Sequence, residues 1–200
     1  SSSGDLVHAL LSPALSRDSR RLCFTDQGWN IAVVPSDRRS GTWKPLAVGV
    51  ECDWSPDGGW IAFTKLIVGP SREEEGVYVT SLGIWRMRPD GSNLRQVTSA
   101  SDWEPDWSPD GARIAFTRRT RAGAQIRWNI MVAAATGRGT RRLVSGNSPS
   151  WSPDGRRLAF SRARNEAGVY AGTDVFVIAA DGSAEGRLLR DASAPDWGAG

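Results

Sequence analysis

Lysine is nearly missing from this chain: only Lys44 and Lys65 are present, and arginine supplies the rest of the positive charge. Those arginines are interspersed with 22 acidic residues and form no long run, for a formal net charge of +3. A nucleic-acid binder concentrates its basic side chains on one stripe. A solvated surface therefore explains these charges better, and no nucleic-acid partner is expected. Histidine is scarcer still, with His8 alone, which disfavours both a Ser-His-Asp triad within the chain and a histidine-ligated metal. There is no Gly-rich phosphate loop and no calcium-loop pattern, so no cofactor, no metal and no catalytic residue are expected. The two cysteines, Cys23 and Cys52, stand at no metal-like spacing and read as two small buried apolar side chains. No run approaches the roughly 20 apolar residues of a spanning helix, so no membrane insertion is expected. No signal peptide is legible; the start Ser1-Ser2-Ser3-Gly4 reads as a linker, an expression scar or the cut edge of a longer protein.

A repeat is present instead, and it decides the fold. Trp54-Ser55-Pro56-Asp57-Gly58, two further residues and Ile61-Ala62-Phe63-Thr64 recur from Trp107 to Thr117 and from Trp151 to Ser161. A degraded copy runs from Leu15 to Thr25, and a fifth copy opens at Trp197. The positions 15, 54, 107, 151 and 197 are 39, 53, 44 and 46 residues apart, and periods of about 40 to 50 residues with strand-like content mean propeller blades. In the Pro-Asp-Gly segment Pro pre-sets φ, Asp bonds the backbone two residues on, and Gly takes the positive φ. Trp54, Asp57, Gly58, Trp107, Asp110, Gly111, Trp151, Asp154 and Gly155 are thus read as architecture. Each turn leads into a short strand. A second strand follows, as at Ile84 to Arg88, then another turn and an outer strand such as Arg142 to Ser145. No such unit buries two apolar faces alone, so units must stack. The expected fold is all-β, a propeller of four four-stranded antiparallel blades plus the start of a fifth, forming part of a larger ring of about six.

The expected boundaries are residues 12–49, 50–102, 103–147 and 148–193, with 194–197 opening the next blade and 1–11 a linker or closing strand. If the ring is open, its last blade face invites self-association. Between second and third strands, 65–82 (with Arg72-Glu73-Glu74-Glu75), 118–128 and 162–173 read as long variable loops on one rim.

The repeat resembles the WD-like repeat of the TolB family, on Trp-Ser-Pro-Asp-Gly followed by Ile/Leu-Ala-Phe-Thr/Ser and strands such as Ile84 to Arg88 ending in Pro89-Asp90-Gly91. That resemblance implies a propeller that binds partner proteins in a periplasmic or otherwise extracytoplasmic setting. Related repeats occur in gating propellers of prolyl-oligopeptidase-like serine peptidases and in extracytoplasmic sensor domains of signalling proteins, and both remain alternatives to a non-catalytic protein-binding scaffold. The candidate binding residues precede each Trp position, where the innermost strand of a propeller lines its channel: Glu51, Asp53, Glu104, Asp106 and Asp196, with Trp103 as an anchor. Their carboxylates either form an acidic funnel for a cation or a basic partner segment, or cap local turns and remain solvated.

Overall fold

The computed structural model describes residues 12–37, 42–70, 77–123, 125–166 and 169–197. His8, the linker or closing strand expected at 1–11 and Arg72-Glu73-Glu74-Glu75 lie outside them. No helix occurs among the described residues, and hence none long and apolar enough to cross a membrane. The chain divides into two compact units, with the break between Trp103 and Glu104.

The first unit holds a seven-stranded antiparallel sheet. Its strands are β1 (Ala14–Leu15), β2 (Arg21–Thr25), β3 (Asn30–Pro35), β4 (Ala47–Trp54), β5 (Ile61–Pro70), β6 (Val77–Met87) and β7 (Arg95–Gln96), in sequence order across the sheet. Two four-stranded sets share β4: Ala47 and Val48 pair with Ile31 and Asn30, while Asp53 and Trp54 pair with Ala62 and Ile61. One strand therefore ends one blade-like set and begins the next. The second unit carries two separate four-stranded antiparallel sheets. The first is β8 (Asp102–Trp107), β9 (Arg113–Ala122), β10 (Gln125–Ala134) and β11 (Arg141–Ser145). The second is β12 (Asn147–Trp151), β13 (Arg157–Glu166), β14 (Val169–Ala179) and β15 (Gly186–Leu189).

Burial follows position in each sheet. Ile61-Ala62-Phe63-Thr64 is buried on both faces, whereas every residue of β15 is exposed. Phe63, Phe116 and Phe160 are fully buried, and Trp54, Trp107 and Trp151 nearly so. In the first unit Trp54, Ile61, Phe63, Ile31 and Met87 pack in one core, matched in the second by Trp151, Leu158, Phe160, Ile130 and Ile178. A sheet apolar on both faces is stable only between two others, as the repeat spacing requires.

The turn chemistry is the same in all four copies. The Oγ of Ser16, Ser55, Ser108 and Ser152 donates to Oδ1 of the Asp two residues on, at 2.5 to 2.6 Å. That Oδ1 accepts the N–H two residues further along, at Arg20, Gly59, Ala112 and Arg156. The degraded copy keeps this pair although Pro and Gly are gone. Ser19 takes the left-handed φ of +55° where Gly58, Gly111 and Gly155 take +64°, +69° and +67°.

Two expectations are corrected. Cys23 and Cys52 are buried, but as a disulfide with Cα atoms 6.3 Å apart and not as separate apolar side chains. Cys23 stands in the repeat's small-residue column (Ala62, Ala115, Ala159) and Cys52 in its proline column (Pro105, Pro149, Pro195). Cys23 on β2 and Cys52 on β4 thus meet at bonding separation within the first unit. The stretches read as long loops are mostly strand. The β5–β6 ladder runs out to Pro70↔Val77, β9–β10 to Ala122↔Gln125 and β13–β14 to Glu166↔Val169. Runs such as Ile67-Val68 and Val77-Tyr78-Val79-Thr80 are β-branched and aromatic, so the extra length extends the hairpin.

Candidate partner-binding surface

The innermost strands share an unusual backbone. Glu51, Glu104, Ser148 and Ala194, each three residues before a Trp position, adopt φ of +59°, +55°, +51° and +50°. Where the ladder is described, this coincides with a register shift, between Val50 and Asp53 and between Asn147 and Ser150. Residues in this region are energetically disfavoured unless their surroundings hold them there. The bulge turns the side chains at this point and at the residue two further on, which are the positions of the candidate carboxylates.

In the first unit, Glu51 and Asp53 lie half-buried on β4, and the Glu51 carboxylate accepts the Thr64 hydroxyl at 2.8 Å. In the second unit, Glu104 accepts the Thr117 hydroxyl at 2.6 Å, the Ser148 N–H at 2.8 Å and the Ser148 hydroxyl at 3.0 Å. Asp106 accepts the Trp151 N–H at 2.6 Å. The Glu104 and Asp106 carboxylates thus join one innermost strand, β8, to the next, β12. Weaker forms recur one step on, where Ser161 Oγ accepts the Ala194 N–H at 2.8 Å and Ser150 Oγ accepts the Trp197 N–H at 3.4 Å. Asp196 is exposed. Trp103 is half-buried, its indole N–H donating to Ser101 at 3.2 Å. Among the described residues, no group of three or more His, Cys, Asp or Glu side chains is placed to hold a metal ion.

Three features were not read from the sequence. Arg21, Arg113 and Arg157 occupy one repeat column and stack over the Trp of the following repeat, 4.6 Å from Trp54, 4.5 Å from Trp151 and 5.5 Å from Trp197. The signal was Arg six residues after the Trp position, with Trp60 in its place in one copy and Arg86 and Arg88 stacked on it. The hydroxyls of Thr64, Thr117 and Ser161 form a second column, visible as the Thr/Ser closing each Ala-Phe pair. The third is an ion-pair cluster. Arg164 reaches Asp174 at 2.6 Å and Asp191 at 2.7 Å, beneath a shallow hollow of about 270 Å³ lined by Tyr170, Gly172, Thr173, Asp191, Ala192 and Ser193.

The antiparallel four-stranded sheets and their repeating Ser–Asp turns define an all-β, propeller-like protein. Comparison with known proteins agrees. A TolB homolog of Chlorobium luteolum is 32% identical over 123 residues, which are 58% of this chain and 25% of that protein. TolB from Acinetobacter baumannii superimposes with a TM-score of 0.66 at 21% identity, over 92% of this chain and 45% of that one. A puromycin-hydrolyzing peptidase of Mycobacterium tuberculosis gives a TM-score of 0.59 at 16% identity, over 90% of this chain and 30% of that one. No family model matches the chain. The chain is built of TolB-like β-propeller repeats, and it spans less than half the length of either TolB protein.

Proposed function

We propose that this chain is a non-catalytic propeller scaffold that binds a protein partner through its innermost-strand ends and the hairpins rising from its sheets. The observation that carries the reading is the sequence match to a TolB homolog over more than half of the chain. The blades are taken as 12–49, 50–102, 103–147 and 148–193, with 194–197 opening the next, and Glu51, Asp53, Trp103, Glu104, Asp106 and Asp196 as the binding residues at or leading into the innermost-strand positions. Asp196 is exposed and Trp103 half-buried, so partner contact falls most heavily there. The compartment is proposed to be periplasmic or otherwise extracytoplasmic, which the buried Cys23–Cys52 disulfide supports, since such bonds persist in oxidising surroundings.

The fold likeness to a peptidase supports a second reading, a gating propeller beside a hydrolase domain. One experiment addresses both. A photo-crosslinker is placed at positions 53, 103 and 196 of the full-length protein in its source organism, and any captured protein is purified and titrated against it. A specific partner with measurable affinity supports the scaffold. Peptide hydrolysis by the full-length protein, without a crosslinked partner, overturns it in favour of the gate.

A further inference from the structure

The charge balance of the whole chain conceals a segregation. Between Asp110 and Asp154 the chain carries eight of its 25 basic residues, all arginine, and none of its 22 acidic ones. The remainder therefore holds 17 basic residues against 22 acidic, so a cationic stretch sits in an otherwise acidic protein. Seven of the eight arginines lie on β9, β10 and β11, three strands of one sheet, and Arg138 lies in the turn between β10 and β11. Three acidic side chains in or beside the neighbouring sheet, Glu185, Asp174 and Asp191, pair with Arg162, Arg164 and Arg187 of that same sheet, while Asp181 of its last turn interacts with Arg141 of the cationic stretch.

The β9–β10 hairpin outruns its sheet. The outer strand β11 pairs only with Asn129 to Val132, so Gln125 to Trp128 and the β9 residues opposite project as a two-stranded ribbon. In the ladder Arg119 lies opposite Trp128 and Arg121 opposite Ile126. Directly opposed residues point to the same face, and so do residues two apart on one strand. One face of the ribbon thus presents two arginines beside Ile126 and Trp128, which are 44% and 42% exposed. The other face carries Arg127, also exposed. Arginine and tryptophan on an exposed strand pair form the composition of a protein-interface hot spot, and the planar guanidinium pairs with carboxylates through two parallel hydrogen bonds.

We propose that the Arg119–Arg121–Ile126–Trp128 face of this ribbon docks an acidic, extended segment of a protein partner in which apolar residues alternate with carboxylates. The proposal rests on the scaffold reading above but not on the innermost-strand carboxylates. The two apolar side chains match apolar residues of such a segment, and the flanking arginines match its acids. Nucleic acid fits less well, because the Arg119 guanidinium already lies 6.0 Å from the centre of the Trp128 ring, the platform a base would need.

The test is fluorescence anisotropy on the intact protein with a labelled peptide alternating glutamate and leucine. Its lysine-for-glutamate counterpart, a single-stranded oligonucleotide and phosphatidylglycerol vesicles serve as competing probes. The acidic peptide is expected to bind saturably and more weakly as salt rises, and R119E/R121E to weaken it about tenfold or more. The charge-matched control R17E/R156E is expected to bind as the parent does. Should R119E/R121E fail to fold, R119Q/R121Q takes its place. No saturable binding, an unaltered R119E/R121E, an equal loss in R17E/R156E, or tighter binding of oligonucleotide or vesicles would each overturn the assignment.

Discussion

Asp106 accepts the backbone N–H of Trp151 at 2.6 Å across 45 residues of sequence. It carries a carboxylate from one innermost strand to the first turn-bearing residue of the next. The amide it satisfies belongs to a nearly buried residue, and a buried N–H left without a partner costs about 1–3 kcal/mol. Asp106→Ala is therefore expected to lower unfolding free energy by about 2 kcal/mol, and Asp106→Asn by less, because the amide oxygen still accepts. Urea unfolding of the two variants checks this. Equal losses would mean that the carboxylate's charge, and not its acceptor oxygen, holds the strands together.

Ser19 offers a gain in stability. It sits at φ +55° in a turn whose other copies place glycine there, and a side chain in that region costs roughly 1–2 kcal/mol. Glycine restores part of that, offset by its greater freedom in the unfolded chain. Ser19→Gly is expected to stabilise by about 0.5–1 kcal/mol, with the Ser16–Asp18 bond retained. A lower thermal midpoint in Ser19→Gly would show that the serine side chain makes a compensating contact.

These cases mark what was legible. Trp54, Trp107, Trp151 and their Ser-x-Asp turns could be read because each is a local signal copied along the chain, and a turn needs only its own residues. The strand extensions were misread because length between two patterned strands looks alike whether it pairs with itself or not. The role of Glu104 could not be read at all. Its partners Thr117 and Ser148 are 13 and 44 residues away, and only the stacking of successive strands brings them to one carboxylate. The disulfide was hidden for the same reason: the column positions of Cys23 and Cys52 in separate repeats carry the signal, and their sequence spacing does not.

The disulfide closes a sequence separation of 29 residues within the first unit, between β2 and β4. Chain-entropy reasoning assigns a loop of that size about 3–4 kcal/mol. The set of strands that begins with Leu15 has lost Trp, Pro and Gly from its repeat, and Leu15 is 56% exposed, so the bond ties down the copy with the weakest side-chain signature. C23A/C52A is expected to lose about 3 kcal/mol or more, with fraying confined to residues 12–37. Hydrogen exchange compared between parent and variant tests this. Uniform deprotection across both units would refute the local role, and no change would show that packing alone holds the first strands.

The turn aspartates set the response to acid. In Asp57 and Asp110 the hydroxyls of Ser55 and Ser108 are the largest influence holding the carboxyl below its ordinary value of 3.8, followed by the N–H groups of Gly59 and Ala112. Asp18 and Asp154 are lowered in the same way by Ser16 and Ser152. A carboxyl whose folded value lies below its unfolded one stabilises the fold fully above the unfolded value and loses that contribution as pH falls through the folded value. The stability these turns supply is therefore intact at neutral pH, begins to fall near pH 3.8, and is gone only below the folded values. Thermal midpoints measured from neutral pH down into that window should decline for the parent. They should decline less steeply for D57N/D110N/D154N, which keeps an acceptor oxygen but has no carboxyl to protonate at those turns. An equally steep decline in the triple variant would place the acid-sensitive groups elsewhere, first among them Asp174, whose carboxylate meets Arg164 at 2.6 Å.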